Sequence, residues 1–261
     1  MNPIALAPTT LSKVPPLEYI AIAAKAGYDA IGFRLYPSPH LPFFPVVGDA
    51  QLMREVRKAL DDSNLRVYDV FTCYITPDMD FDAMKRAHEF GAELGAQYAL
   101  VIGDDPDWGR SVDSFGRLCD NAAEFGLVCA VEAPVNRRRL NTLQLNLKLI
   151  EESGRNAVLS VDPAQFIRAG HSFDELKSVP SSMLPYSQIN DTQSMTMGDP
   201  MCTPGEGIVP LYDLLDLLPP DAMLSLEYHH RDESYTSEEW ARFALDGTRA
   251  FLQRYYESKQ Q

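Results

Sequence analysis

This 261-residue chain lacks the features that would send it to a membrane, a secretory route or a nucleic acid. No apolar run approaches the roughly 18 residues that a membrane span needs. The N-terminal stretch MNPIALAPTT has no basic segment followed by a long apolar one, so no signal peptide is expected. Cys73, Cys119, Cys129 and Cys202 form no CxxC pair and no even framework, and read as reduced thiols of a cytoplasmic protein. Basic residues are scarce: 23 Lys and Arg against 37 Asp and Glu leave a net charge of −14. Such a surface repels phosphate backbones and anionic lipid, so neither nucleic acid nor a membrane is the expected partner.

Several catalytic signatures are missing too. No glycine-rich phosphate loop follows the first apolar run, where the chain reads APTTLSK after Leu6. No GxSxG elbow occurs. A Schiff-base enzyme needs a desolvated lysine on a strand. Here Lys25, Lys58, Lys85, Lys148 and Lys177 fall in helical stretches and Lys259 in the tail, leaving only Lys13 near a strand end.

What is present is alternation. Runs rich in β-branched and aliphatic residues centre on Ile4–Leu6, Ala30–Phe33, Val67–Val70, Ala99–Ile102, Val128–Val131, Val158–Val161, Tyr186–Ile189 and Met223–Leu226. Amphipathic stretches fill the gaps: 17–26, 51–60, 81–94, 112–125, 143–151, 173–177, 211–217 and 237–255. Gly27, Gly95, Gly126 and Gly154 sit where helices end, each just before the next strand. Strict alternation implies a parallel sheet with right-handed crossovers. Eight βα units in one chain of this length predict an α/β fold, a single-domain (β/α)8 TIM barrel, with an open doubly wound sheet as the competitor.

In such a barrel the chemistry lies at the C-terminal strand ends. The fifth strand ends CAVEAP with Glu132, and the sixth LSVDPAQF with Asp162. The seventh ends YSQINDTQ, offering Gln188, Asn190 and Asp191; the eighth ends LSLEYHH with Glu227. Carboxylates converging on one rim raise each other's pKa or need a cation between them. Two Glu, one Asp and an amide oxygen make a hard site suited to Mn²⁺, Mg²⁺ or Co²⁺.

The order VEAP, VDPAQFIRAG, QIND, PGEG, LSLE resembles the sugar phosphate isomerase/epimerase superfamily of xylose-isomerase-like TIM barrels. The resemblance covers nearly the whole chain. It implies that Glu132, Asp162, Gln188 and Glu227 hold a divalent metal, with Gln188 standing where the family usually has histidine. Some 3-dehydroshikimate dehydratases of the superfamily resemble this chain in that glutamine. The family often has a second histidine three residues after the Asp, and here that residue is Gln165.

These residue types suit proton abstraction beside a carbonyl, with Glu132 and Glu227 as base and partner as well as ligands. The expected enzyme is a metal-dependent isomerase or epimerase of a small keto-sugar or polyol. A dehydratase of a hydroxy-keto acid such as 3-dehydroshikimate is the alternative, since both share the first step. An endonuclease IV-like nuclease would want more histidines than the five present and a basic groove; a binding protein without catalysis is the remaining class. Arg34, Arg168, His229, Gln165 and Trp108 are the substrate-binding candidates for a small molecule, and the arginines suit an anionic group on it. Arg34 has Asp69 as a potential ion-pair partner. Arg137–Arg139 form a basic run, read as a solvated loop or an anion contact. His171 is expected as a helix-cap neighbour. The proline-rich segment 36–48, which contains His40, serves either as an apolar wall or lid or as a contact within a homo-oligomer. Gly205 and Gly207 in PGEG are a weak phosphate signal and a likelier pair of turn residues.

Overall fold

Residues 1–38, 41–133 and 139–260 are described by a computed structural model of the chain. Its strands, numbered in chain order, are β1 (Ile4–Leu6), β2 (Ala30–Arg34), β3 (Val67–Ile75), β4 (Tyr98–Gly103), β5 (Val128–Ala133), β6 (Ala157–Val161), β7 (Tyr186–Ile189), β8 (Asp191–Thr192), β9 (Met201–Cys202) and β10 (Met223–Leu226). All but β8 and β9 form one closed parallel barrel in the order β1-β10-β7-β6-β5-β4-β3-β2. The expected (β/α)8 architecture is therefore the observed one. The pair β8 and β9 is a short antiparallel ribbon inserted after β7, which the alternation did not announce.

The helices are α1 (Pro16–Ala26), α2 (Ala50–Ser63), α3 (Phe81–Glu93), α4 (Trp108–Ala123), α5 (Leu143–Ser153), α6 (Pro163–Arg168), α7 (Leu211–Leu215) and α8 (Ser237–Ser258). Their starts follow local chemistry. Asp49, Asp80, Asp107 and Thr142 accept hydrogen bonds from the exposed N–H groups of the first turns of α2, α3, α4 and α5. Thr236 and Glu239 form a reciprocal capping box at the start of α8. Gly27 and Gly154 end α1 and α5 in the left-handed conformation that glycine adopts without steric cost. Among the described residues, no helix is long and apolar enough to cross a membrane.

Strand residues alternate between two cores. One set packs outward against the helices and includes Leu6, Phe33, Val70, Val101, Val131, Leu159 and Leu224. The other fills the lumen with Ala5, Ala30, Tyr68, Phe71, Leu100, Ala130, Val158, Tyr186 and Met223. Three tyrosines close the lower lumen: Tyr98 lies 4.9 Å from Tyr186 and 5.5 Å from Tyr68, ring centre to ring centre, so the barrel is packed rather than open.

One buried polar group stands out in the helical layer. His88 on α3 is fully buried, its two ring nitrogens find no hydrogen-bond partner, and its ring meets Tyr36 edge-on at 5.9 Å. Burial lowers its pKa to about 4 from the usual 6.5. Between those values the unfolded chain binds a proton that the folded chain refuses, so stability falls as the pH drops through this window. We predict that His88→Leu removes roughly 2 kcal/mol from the difference in unfolding free energy between pH 7 and pH 4.5. Urea denaturation of both proteins at the two pH values checks this. An unchanged difference would contradict a neutral buried histidine.

Candidate metal and catalytic site

Counting in twos from the lumen residues places the predicted donors. Ala130 leads to Glu132, Val158 through Ser160 to Asp162, Tyr186 to Gln188 and Asn190, and Met223 through Ser225 to Glu227. All four expected ligands therefore lie on the inward parity at the C-terminal ends of four strands that are neighbours in the barrel. Glu132 and Glu227 stand with β6 and β7 between them. Glu132, Asp162, Gln188 and Glu227 are all buried.

Asp162 is the most firmly held. It caps α6 by accepting the Gln165 backbone N–H at 2.9 Å on Oδ1, and the same oxygen accepts from Asn190 Nδ2 at 3.0 Å. The Asn190 amide oxygen in turn accepts from the Ala164 N–H at 3.0 Å. The turn VDPAQ thus exists to aim one carboxylate, with Pro163 at the first helical position, where no N–H is needed. The helix α6 and the orienting role of Asn190 were not anticipated. Asn190 could have been found by its inward parity two residues beyond Gln188.

Burial pushes the Asp162 carboxyl up to about 7, with the nearby negative charge of Glu227 as the second cause. Glu227 is itself hydrogen-bonded, with Oε1 2.9 Å from Nε2 of His229. Burial draws the His229 pKa down, but the bond and charge of Glu227 outweigh it, and the net shift is upward. His229 thus joins Glu227 at the rim, as alternation along LSLEYHH predicts. His230 turns away, bonding the carbonyls of Asp232 and Tyr235 and stacking on Trp240.

Among the described residues, both amide atoms of the buried Gln188 side chain and the buried Gln165 side-chain oxygen have no hydrogen-bond partner. Unsatisfied buried amides are costly, by roughly 1–3 kcal/mol each, unless something outside the chain completes them. A hard cation fits this donor set: carboxylate and amide oxygens only, one amide unsatisfied, one carboxyl under like-charge pressure. Among the described residues, no three His, Cys, Asp or Glu side chains already gather into a metal cluster. One of the four donors here is an amide, and Glu227 is turned toward His229.

Below this rim lies a second polar layer that the motif reading did not foresee. Ser160, Ser225 and the Tyr186 hydroxyl are buried without hydrogen bonds, as is the carboxyl of Asp69. Strand parity, two residues below Asp162, Glu227 and Gln188, was the available signal. The expected Arg34–Asp69 ion pair is not formed: both Asp69 oxygens and both terminal nitrogens of Arg34 lack partners. Complete burial without that partner raises the Asp69 pKa to about 8 and favours the neutral acid. Tyr186 stands close enough to lower that value somewhat, though neither group meets hydrogen-bond geometry.

Two other substrate candidates need correction. Arg168 is buried and committed to the chain that follows β7: its guanidinium donates to Thr192 Oγ1 and to the carbonyls of Ser194 and Asp199. Trp108 opens α4 and leans on α5, donating its indole N–H to Glu152 at 2.6 Å with Lys148 over the ring, so it is not part of the rim. His171 bonds Glu175 beside a helix start, as expected. Arg137, Arg138 and His40 lie outside the described residues, and Arg139 is exposed.

The PGEG glycines serve a carboxylate of the chain itself. Asp191 accepts the backbone N–H groups of Thr192, Gly205, Gly207 and Val209, at 2.7 to 3.1 Å. A Cβ on Gly207 would lie 2.1 Å from Asp191 Oδ1, so the approach demands glycine. The weak phosphate signal is thereby a loop clamp beside the site.

Asp69 yields a pH test. Its folded pKa exceeds the usual 3.8, so its favourable contribution is complete below about 4 and drains away until the pH passes about 8. We predict that Asp69→Asn, which mimics the neutral acid, removes a loss of roughly 1 kcal/mol per pH unit, so that its stability relative to the parent is greater at pH 8 than at pH 5 by roughly 3 kcal/mol. Urea midpoints at the two pH values decide. A variant that loses more stability at pH 8 than at pH 5 would mean that Asp69 is ionised and paired.

Similar solved structures share the whole architecture. The IOLI protein, solved with a binding zinc atom, superposes with a TM-score of 0.80 at 19% identity over 97% of this chain and 99% of its own. A D-allulose 3-epimerase from Methylomonas sp. gives 0.72 at 19% identity, covering 97% and 98%. The probable 3-DHS dehydratase AsbF from Bacillus anthracis gives 0.68 at 14% identity, covering 94% and 98%. The sequence finds no match among curated proteins. Residues 20–251 match the xylose isomerase-like TIM barrel family, and the chain belongs to it.

Proposed function

We propose that the protein is a divalent-metal-dependent isomerase or epimerase of a small keto-sugar or polyol. The supporting observation is the rim itself: Glu132, Asp162, Gln188 and Glu227 stand on the inward parity of neighbouring strands, with the Gln188 amide left for a ligand. These four residues would hold the cation, and Mn²⁺, Mg²⁺ and Co²⁺ suit their oxygens. A zinc atom in the IOLI structure and the epimerase among the structural relatives are in keeping with this reading. The bound cation would stabilise negative charge developing on a substrate carbonyl.

The chain supplies the proton chemistry. Glu132 takes the proton from the carbon beside the carbonyl. Glu227 enters the step as the acid and delivers a proton of its own; its hydrogen bond with His229 orients the carboxyl and offers the route by which Oε1 regains a proton from solvent, while Glu132 releases the abstracted proton to solvent. Asn190 and the first turn of α6 keep Asp162 from rotating. Delivery of the proton to the opposite face gives epimerisation, and delivery to the neighbouring carbon gives isomerisation.

Dehydration of a hydroxy-keto acid is the second reading, and the unpaired Arg34 favours it because an acid would supply the missing countercharge. The test is turnover of candidate substrates in deuterated water with Mn²⁺ present. Deuterium entering recovered substrate without a chromophore supports isomerisation; a conjugated or aromatic chromophore supports the lyase. In either case Glu227→Gln should lower turnover by roughly 100-fold or more. Full activity in that variant would remove this mechanism.

A further inference from the structure

Arg34 ends β2, and both terminal nitrogens of its guanidinium are buried without a hydrogen-bond partner among the described residues. No carboxylate of the described residues comes within ion-pair distance of it. Asp69 lies on the adjacent strand opposite Gly32, two residues before Arg34, and its carboxyl makes no hydrogen bond to the guanidinium. A buried cation without a countercharge is an expensive arrangement, and in a chain of net charge −14 such a cation is not short of acids to pair with. Arginine cannot relieve the cost by losing its proton. Burial does pull its pKa down, but Tyr74, Glu227 and Tyr19 act in the opposite direction.

The surroundings are those of a pocket. Arg34 lines a cavity of about 30 Å³ with Pro8, Leu11, Ser12, Pro42 and Phe44. That volume admits about two water molecules, or the oxygen pair of a carboxylate or phosphate. Its walls are apolar apart from Arg34, Ser12 and Tyr19, and the Tyr19 hydroxyl is already bonded to the carbonyls of Leu6 and Gly32. The proline-rich segment thus supplies walls here through Pro42 and Phe44. A planar fork in such a cavity matches an oxyanion in a bidentate manner.

We propose that Arg34 is the anchor for an anionic group of the substrate, a carboxylate or a phosphate, so that the true substrate is an acid or a phosphorylated sugar rather than a neutral one. This rests on the reading of the rim as the catalytic site: Arg34 ends β2 four residues after the lumen residue Ala30 and opposite the lumen residue Phe71, on the inward parity that the rim donors share. The guanidinium would hold the far end of a molecule whose reacting carbon lies at the carboxylates. Binding energy from that remote end would orient the substrate.

Isothermal titration of the purified protein with inorganic phosphate, with quinate as a ring hydroxycarboxylate, and with D-fructose against D-fructose 6-phosphate tests the proposal. At least one anion should bind, and Arg34→Gln should weaken that anion at least 10-fold while leaving D-fructose unchanged. Phosphate and fructose 6-phosphate binding would assign a phosphorylated substrate; quinate binding alone would assign an acid. Thermal melts supply the control. Removing an unpaired buried charge should leave the melting temperature unchanged or raised, whereas a structural arginine would lower it. No anion binding, equal binding by Arg34→Gln, or a lowered melting temperature without loss of binding would overturn the proposal. Because anion binding is read without turnover, its failure leaves the carboxylate mechanism standing, and loss of that mechanism leaves the anion result intact.

Discussion

The organising constraint is the crowding of negative side chains where water is scarce. Asp162 and Glu227 are brought together by neighbouring regions of one parallel barrel, and burial with mutual repulsion raises the proton affinity of Asp162 to about 7. An apolar barrel interior does not tolerate such groups without compensation. The chain offers partial compensation through Asn190, the first turn of α6 and His229. It offers none to the Gln188 amide, which lies in the same layer. A hard cation would satisfy both conditions together. The rim therefore follows from the barrel, which gathers these side chains at the C-terminal ends of neighbouring strands on one parity.

The layers beneath and beside the rim serve this arrangement. The tyrosine cluster of Tyr68, Tyr98 and Tyr186 fills the lower lumen with apolar rings. Above it a ring of unbonded hydroxyls and the neutral Asp69 separates the apolar plug from the charged rim. Beside the rim, Asp191 gathers four backbone N–H groups and pins the loop after β9. Arg168 ties β8 to the chain around Ser194 and Asp199. Two charged side chains near the mouth are thus structural, while Arg34 is left over.

The barrel was legible because its determinants are local and repeated. Most barrel strands are short aliphatic runs and most long helices carry a side-chain cap, so periodicity and end signals agree. The rim placement of Glu132, Asp162, Gln188 and Glu227 was legible for the same reason, because alternation along a strand leads from a lumen residue to the rim in steps of two. What escaped depends on contacts distant in sequence. Arg168 follows a catalytic strand as a substrate residue would, but its acceptors lie in a loop more than twenty residues away. Trp108 stands after the fourth strand, yet α4 begins with it and carries its ring outward to Glu152. The Arg34–Asp69 pair was one option from charge alone, but the strand register sets Asp69 opposite Gly32 and Arg34 opposite Phe71, a placement invisible in the sequence.

The most direct test is a crystal grown with Mn²⁺ and measured by anomalous scattering. The account predicts one strong peak at the barrel mouth, with oxygens of Glu132, Asp162, Gln188 and Glu227 around it. A mouth in which those side chains diverge, or in which arginines fill the space between them and manganese binds elsewhere or not at all, would contradict it.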